Sequence, residues 1–224
     1  MLEIIYKDKS ALVVKKPIGM PSQSDPSGDL DAMSAASEAL KSLGEHSELW
    51  LVHRLDRTVG GLLAFARTKS AAARLSSSIV DGSFEKTYYA VVGGNTEGVE
   101  MRDFLFKDSL LSKSFAVKSE RKGAKLAVLE YSVLDRKEMP DGVKTLVKVR
   151  LKTGRFHQIR CQFASRGLPL VGDGKYGSRD KGSRFPALYA SSLAAPDING
   201  GNPISDIPPL SEYPWSLFEK EKYV

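Results

Sequence analysis

Two polar clusters in the sequence carry side chains that could do chemistry. The first follows the apolar residues 49–52 and precedes a pair of glycines, and it reads His53-Arg54-Leu55-Asp56-Arg57. A carboxylate in a glycine-flanked loop at the end of a buried strand is well placed to act on a bound substrate. The alternative is an ion-paired loop in which Asp56 binds Arg54 or a backbone amide. Taken alone, such runs are more often structural than catalytic.

The second cluster follows a strand that is expected to end at a glycine, and it reads Thr153-Gly154-Arg155-Phe156-His157-Gln158-Ile159-Arg160. Helical spacing directs Ile159 and Phe163 towards the core. His157 is then a half-buried structural histidine or a site residue, and Arg160 is a surface charge, a packing partner or a site residue. A third feature is the pair Tyr88 and Tyr89, which strand alternation places on opposite faces, so we expect one of them to be buried.

The elements that position these clusters follow from apolar periodicity and turn residues. Helices are expected over residues 29–43 with Asp29 as N-cap, over 69–80 with Thr68 as N-cap, over 156–166, and briefly over 215–220. Residues 113–125 are expected to form a loop between strands. Strands are expected over residues 2–6, 11–15, 49–53, 61–67, 85–92, 125–134, 144–151 and 187–194. Because they do not alternate strictly with helices, we predict an α+β fold with a mixed, largely antiparallel sheet and flanking helices.

Composition narrows the class of protein. The 224 residues suit one large domain or two lobes with a shared core. No apolar run approaches the length of a membrane span, and the N-terminal pattern does not match a signal peptide, so a cytoplasmic protein is expected. One cysteine, Cys161, and three well-separated histidines, His46, His53 and His157, argue against a structural zinc site.

The charge distribution favours a polyanionic partner. The formal net charge is +6, and the basic excess lies in the second half of the chain. Neutralising phosphates with lysine and arginine releases counterions, so RNA is a reasonable partner. A slightly basic solvated surface explains the charge equally well.

Four motifs, taken in order, resemble one family closely. They are His-Arg-Leu-Asp-Arg with a following Gly-Leu (residues 53–62), Glu-Lys-x-Tyr-x-Ala-x-Val (85–92), Thr-Gly-Arg-x-His-Gln-Ile-Arg (153–160) and Gly-Asp-x-x-Tyr-Gly (172–177). Their order and spacing are similar to those of the RluA-type RNA pseudouridine synthases, over roughly residues 2–196. The resemblance implies a single catalytic domain over residues 1–224, with the pseudouridine synthase fold and a central RNA-binding cleft. The small S4-type RNA-binding domain that often precedes it is expected to be absent.

The resemblance also implies roles for individual residues. Asp56 would be the catalytic carboxylate, Arg160 would pair with it, and Tyr88 would stack on the uracil and assist removal of its C5 proton. Arg54 would fill the gap that the flipped-out base leaves in the RNA. Further residues are assigned to RNA or substrate binding: Leu62 and Ile159 in the pocket lining, and Arg155, Lys175 and the basic 113–125 segment at phosphates. For that segment, a solvated charged loop is the alternative.

The implied reaction is isomerisation of specific uridines in ribosomal or transfer RNA, by a monomer without metal or cofactor. Asp56 would act at C1′ as a nucleophile or take a C2′ proton as a base, and both routes remain open. One rival is a catalytically idle RNA-binding or ribosome-assembly protein of the same fold. Another is a hydrolase that releases a free base. Glycosidases use two carboxylates, and the single well-placed carboxylate here fits isomerisation better.

One departure from the family pattern lies beside Asp56. The family usually has Thr-Ser-Gly where this chain has Val59-Gly60-Gly61. The change removes two hydroxyl groups, and with them any hydrogen bonds that they make next to the aspartate.

Overall fold

In the computed structural model, residues 2–45 and 48–223 are described, and the chain divides into two compact units. Unit 1 comprises Met1–Lys86 and Tyr189–Ile207, and unit 2 comprises Thr87–Leu188 and Pro208–Val224. Within the described residues, no helix is long and apolar enough to cross a membrane. The elements, in chain order, are β1 (Glu3–Lys7), β2 (Ala11–Lys16), α1 (Ala32–Ser42), β3 (Trp50–Leu51), β4 (Gly60–Ala66), α2 (Lys69–Asp81), β5 (Glu85–Gly93), β6 (Glu100–Asp108), β7 (Lys113–Val117), β8 (Ala124–Lys137), β9 (Lys144–Leu151), α3 (Gln158–Ala164), β10 (Leu188–Ala194) and β11 (Ile204–Ser205).

Unit 1 contains the strand order β1-β2-β4-β10, with β3 added to β4 and β11 added to β10. The pairs β1–β2 and β2–β4 are antiparallel, whereas β4 and β10 run parallel. Strand β4 is buried along its whole length. Alternate residues of β2 and β4 pack with the apolar face of α2 in one core, which includes Val13, Leu62, Ala64, Ala71 and Leu75.

The two longer helices of unit 1 begin at capping side chains. Thr68 caps α2 as predicted, because its hydroxyl accepts a hydrogen bond from Ala71 N at 3.1 Å. The prediction for α1 was wrong by two residues. Its N-cap is Asp31, whose carboxylate accepts from the backbone amides of Met33 and Ser34, while the Asp29 carboxylate binds Arg57.

Unit 2 contains the strand order β5-β9-β8-β6-β7. The pairs β6–β7, β6–β8 and β8–β9 are antiparallel, so the predicted α+β class with a mixed, largely antiparallel sheet is confirmed. The expected loop over residues 113–125 was wrong, since β7 occupies its first five residues and β8 begins at Ala124. The side chains on one face of β7, Ser114 and Ala116, are small and face α3. Such small side chains weaken the apolar alternation by which a sequence predicts a strand.

Two helix predictions in unit 2 were too long. Helix α3 begins at Gln158 rather than at residue 156, because its N-cap residue His157 adopts the left-handed conformation, with φ of 52°. The helix expected over residues 215–220 is instead two short 3₁₀ turns, Trp215–Leu217 and Lys220–Lys222.

Candidate active site

The loop that carries Asp56 in unit 1 is held by its backbone. Ser22 Oγ accepts a hydrogen bond from Leu55 N at 3.0 Å and donates one to Leu55 O at 2.8 Å. A turn closes directly after it, as Val59 N donates to Asp56 O at 3.0 Å. Gly19 N donates to Arg57 O at 2.8 Å. The peptide units on both sides of Asp56 are therefore fixed, and the half-buried Asp56 side chain projects from a rigid loop.

His53 anchors the start of this loop. Its Nε2 accepts a hydrogen bond from Ala64 N in β4, at 3.1 Å. Burial, followed by the nearby positive charge of Lys86, lowers the pKa of His53 to about 3. The imidazole is therefore neutral at physiological pH, which is the form that can accept this hydrogen bond. Leu55 is buried, so both His53 and Leu55 attach this loop to the body of the protein.

A buried lysine beside the loop was missed by the sequence analysis. Lys16 ends β2 and is only 1% exposed. Its Nζ donates hydrogen bonds to Pro17 O at 3.0 Å and to Met20 O at 2.8 Å. Burial lowers the pKa of Lys16 to about 8, against an opposing attraction from the Asp56 carboxylate. The signal in the sequence was a lysine that lies shortly after the apolar run of residues 11–14 and directly precedes a proline.

The remaining residues predicted in unit 1 occupy different environments. Arg54 is exposed. Arg57 donates to Ser27 Oγ at 3.0 Å and forms ion pairs with Asp25 and Asp29, so it ties the loop to residues 25–29. Leu62 lies in the core of unit 1 and is fully buried, and its role in lining a substrate pocket stays a prediction.

The two glycines that follow the Asp56 loop differ in how much space surrounds them. Gly61 has a φ of 113°, and a Cβ atom there would lie 2.2 Å from Ala190 O in the neighbouring strand β10. A Cβ atom on Gly60 would lie 3.0 Å from Ile18 Cγ1, and the backbone atoms Lys16 O and Ile18 N would be at the ordinary contact distances of 3.4 and 3.6 Å. Position 61 therefore requires glycine, because the backbone of β10 lies too close for a side chain. At Gly60 the closest neighbour is the end of a side chain that can move.

Substituting these glycines should separate the two cases. Gly61→Ala combines a strained φ with a backbone clash, and we expect it to lower the free energy of unfolding by about 2 to 3 kcal/mol. Gly60→Ser restores a family hydroxyl and should lower it by less than about 1 kcal/mol, since Ile18 can adjust. Urea unfolding of both variants measures the difference, and equal losses would contradict this account of the two positions.

In unit 2, the loop before α3 is fixed by Gln158. Its Oε1 accepts hydrogen bonds from Thr153 Oγ1 at 2.8 Å and from Arg155 N at 2.9 Å, and its Nε2 donates to Val128 O at 3.1 Å. Thr153 Oγ1 also accepts from Val128 N. The Thr-Gly-Arg-x-His-Gln motif therefore attaches the loop to β8, and this anchoring by Gln158 was missed from the sequence.

Arg160 forms a buried, bidentate ion pair with Asp173. Its Nε and Nη2 donate to Asp173 Oδ2 and Oδ1 at 2.7 and 2.8 Å, and the guanidinium lies 5.1 Å from the centre of the Tyr176 ring. Gly172 directly precedes Asp173, and it passes close to the backbone of Phe185. A Cβ atom on Gly172 would lie 2.3 Å from Phe185 O, so only glycine fits there. The pair fixes the guanidinium in one orientation. Asp173 was not singled out from the sequence, and pairing of Arg160 with Asp56 stays a prediction.

The other predicted residues of unit 2 fall into two groups. Tyr88, Tyr89 and Ile159 are buried, so both tyrosines are covered where one was expected to be. Arg155 and Lys175 are exposed and partly engaged. Arg155 Nε donates to Leu126 O at 2.8 Å, and Lys175 Nζ donates to Leu111 O at 3.2 Å. Both cations keep further donors for a ligand.

His157 packs between aromatic neighbours. Its ring stacks on Phe156 with centres 3.9 Å apart, and its Nδ1 lies 3.2 Å from the Tyr176 hydroxyl. Burial, and then the charges of Arg160, Lys175 and Lys107, lower the pKa of His157 to about 3. His157 is therefore a neutral, half-buried histidine, which leaves open both the structural role and the site role that the sequence allowed.

Both described histidines should make stability depend on pH. Their folded pKa of about 3 lies below the value of about 6.5 for a free imidazole, so the unfolded chain binds protons that the folded chain does not. Stability is then fully present above about pH 6.5 and falls as the pH drops, by up to about 1.4 kcal/mol per pH unit for each histidine. Urea unfolding between about pH 7 and pH 5 avoids most carboxylate titration. A folded-state NMR titration in which His53 or His157 protonates near pH 6.5 would contradict the prediction.

Metal ligation finds no support among the residues that the structure describes, since no three His, Cys, Asp or Glu side chains are grouped to hold an ion. His46, one of the three histidines in the sequence argument against a zinc site, lies outside the described residues.

Comparison with known proteins gives consistent findings. A family model described as RNA pseudouridylate synthase matches residues 10–165. The chain is 30% identical over 184 residues to a tRNA pseudouridine synthase C of Vibrio cholerae, covering 79% of this chain and 75% of the relative. It is 33% identical over 196 residues to a ribosomal large subunit pseudouridine synthase D of Pseudomonas aeruginosa, covering 86% and 58%. The chain spans little more than half the length of several curated relatives that it matches.

A solved structure supports the fold. The human RNA pseudouridylate synthase domain containing 1 protein aligns with a TM-score of 0.75, over 93% of this chain and 83% of that one, at 22% sequence identity. At this identity, the likeness establishes the fold alone.

Proposed function

The chain belongs to the RNA pseudouridylate synthase family, and on that premise we propose that it isomerises specific uridines in structured RNA to pseudouridine. The observation that carries the proposal is the rigid loop of unit 1 that presents Asp56. Backbone hydrogen bonds fix the peptide groups on both sides of this carboxylate, and a site held in this way needs little reorganisation during reaction. We propose that residues 1–224 act as one catalytic domain.

The reaction requires one bond to break and another to form at the same sugar carbon. The N1–C1′ bond breaks, the detached uracil turns, and C5 bonds to C1′, after which the C5 proton is lost and N1 gains a proton. Asp56 would assist by adding to C1′ as N1 departs and leaving again when C5 attacks, or by removing the C2′ proton and later returning it. Both routes need the ionised carboxylate, and nearby cations favour that form. Lys16 is a buried cation whose attraction to Asp56 supports this requirement.

The other site residues are proposed in supporting roles. Arg160, oriented by Asp173, would pair with Asp56. Tyr88 would stack on the uracil and assist transfer of the C5 proton. The exposed Arg54 would fill the space left by the flipped base, since an extruded nucleotide leaves an unstacked gap.

The substrate is proposed as a structured ribosomal or transfer RNA. Relatives named for each of these RNA classes match the chain at similar identity, so the comparison favours neither. Arg155 and Lys175 are exposed cations suited to phosphate. We propose a monomer that works in the cytoplasm without metal or cofactor.

Pseudouridine mapping tests the proposal. Purified protein is incubated with bulk ribosomal RNA and with bulk transfer RNA from a strain that lacks the gene. After carbodiimide treatment, reverse transcription should stop at new positions that match those lost from the deletion strain. If no uridine is converted and no position is lost, the chain is an idle RNA-binding or ribosome-assembly protein. Release of free uracil, detected by chromatography, would indicate a hydrolase instead.

A further inference from the structure

The hairpin between β6 and β7 carries an unusual share of exposed apolar surface. Of the described residues, seven large hydrophobic side chains are exposed, and three of them lie in this hairpin: Leu110 at 98%, Leu111 at 59% and Phe115 at 37%. Leu110 and Leu111 form the tip itself. Scattered single leucines on a surface need no explanation, but a cluster on one protruding element indicates a contact surface.

The tip is ordered although its leucines are not buried. Leu111 N donates to Asp108 Oδ1 at 2.9 Å, and Lys175 Nζ donates to Leu111 O and Ser112 O at 3.2 and 3.0 Å. Ser112 has a φ of 45°, a left-handed conformation that serine seldom adopts. Holding this turn in one strained conformation costs conformational entropy. The exposed leucines do not offset that cost, because they gain no burial when the protein folds. The ordered tip therefore presents its apolar side chains to a partner.

Cations surround this apolar tip. Lys175 contacts it directly, Lys113 follows it and lies 4.8 Å from the centre of the Tyr176 ring, and Lys107 precedes it and lies 4.7 Å from the centre of the Phe156 ring. The aromatic rings hold these ammonium groups close to the hairpin. Asp108, an acid of the same hairpin, accepts a hydrogen bond from the Leu111 amide.

We propose that Leu110 and Leu111 contact unpaired bases of the RNA as an apolar wedge, while Lys107, Lys113 and Lys175 bind the flanking phosphates. Base faces are apolar and accept such side chains only where they are unpaired or partly unstacked, and phosphates lie within reach of the same surface. The wedge makes the protein select loops over continuous duplex. This inference rests on the proposed function for its choice of RNA as partner.

RNA fits the tip better than a protein partner does. Stable protein interfaces bury about 800 Å² on each side, and two leucines with one phenylalanine supply far less. Three lysines beside a small apolar centre suit a polyanion whose apolar base faces lie between its charged phosphates.

A binding experiment with two RNAs tests the wedge. All proteins carry Asp56→Asn so that binding is measured without turnover. The probes are a fluorescein-labelled RNA stem–loop with a uridine-rich loop and a fully paired duplex of matched stem sequence. Leu110→Ala/Leu111→Ala should bind the stem–loop about tenfold more weakly and the duplex unchanged. The matched control, Leu43→Ala/Val80→Ala, removes side chains that are 56% and 89% exposed in unit 1, and it should bind both RNAs normally.

The lysines should instead affect how strongly RNA binding depends on salt concentration. Lys107→Gln/Lys113→Gln should weaken binding to both RNAs and reduce the slope of log Kd against log salt by about 0.7 to 0.9 for each lost contact. The leucine variant should leave that slope unchanged. The leucine variant should keep the parent's thermal unfolding, since both altered leucines are exposed.

Several outcomes would overturn the inference. The leucine variant could bind both RNAs as the control does, or lose affinity for the duplex as much as for the stem–loop. It could also keep normal RNA affinity and change oligomeric state in light scattering, which would make the tip a protein interface. Selective stem–loop binding through the leucines, together with no conversion of uridine by the protein with Asp56 intact, would retain this inference and reject the proposed activity.

Discussion

Replacing Asp56 by asparagine is expected to abolish uridine isomerisation while the protein still folds and binds RNA. Asparagine has nearly the same shape, but it is neither a nucleophile nor a base at C1′ or C2′. We expect single-turnover conversion to fall by at least about 10³-fold, or about 4 kcal/mol of transition-state stabilisation. Tritium release from C5-labelled uridine in RNA measures the rate.

The matched control is Asp81→Asn at the end of α2. The Asp81 carboxylate accepts a hydrogen bond from Ser83 N at 2.8 Å, and an asparagine oxygen can do the same. This variant should keep full activity. A folded Asp56→Asn protein that turns over normally would remove Asp56 from the mechanism.

Asp56→Asn should also change the pKa of Lys16, with a smaller effect on the protein than the loss of activity. The Asp56 carboxylate raises the pKa of this buried ammonium, against the larger effect of burial. Without the carboxylate, the pKa of Lys16 should fall further below its usual range, and the folded state should lose some stability near neutral pH. Unfolding of the Asp56→Asn variant, followed by circular dichroism, measures this loss of stability separately from the loss of activity.

The parts of the fold that could be predicted are those with a strong local signal. Strand β4 is a continuous apolar run, and α2 lies between a capping threonine and Gly82 in the left-handed conformation. Residues that are close in the chain determine these features, so the sequence displays them directly.

The elements that were missed depend on distant partners. Strand β7 has Ser114 and Ala116 on its inner face because they pack against α3, and Ser114 Oγ donates to Phe156 O. Asp29 has the residue type and position of a helix cap, but Arg57, 28 residues away in sequence, binds its carboxylate. A local pattern holds no record of such contacts.

The candidate site shows the same division. Asp56 stood out through its ordered motifs, although the run around it was ambiguous alone. Lys16 resembled a surface lysine at the end of a strand, and its burial follows from carbonyl groups of the next turn. Asp173 lay within a motif that was recognised, but only the folded chain shows that it receives both hydrogen bonds from Arg160.

Breaking the Arg160–Asp173 pair is expected to destabilise the protein strongly. Both side chains are buried, so Asp173→Asn removes the charge that receives hydrogen bonds from Arg160 Nε and Nη2, and we expect a loss of about 3 to 5 kcal/mol in unfolding free energy. The matched control is Asp103→Asn, which breaks a partly exposed pair with Arg166 of 2.9 Å. It should cost at most about 1 kcal/mol, by urea unfolding. Similar losses in both variants would contradict the importance of burial.

A double substitution distinguishes a structural from a functional Arg160. Arg160→Met/Asp173→Leu replaces both charges by apolar side chains, so it should be more stable than Asp173→Asn, because the buried charge of Arg160 is removed together with that of Asp173. If Arg160 also serves the Asp56 carboxylate, activity stays low in the double variant although stability returns. Activity that recovers together with stability would mean that Arg160 only holds unit 2 in shape. Single-turnover rates, measured where each variant is fully folded, decide between these outcomes.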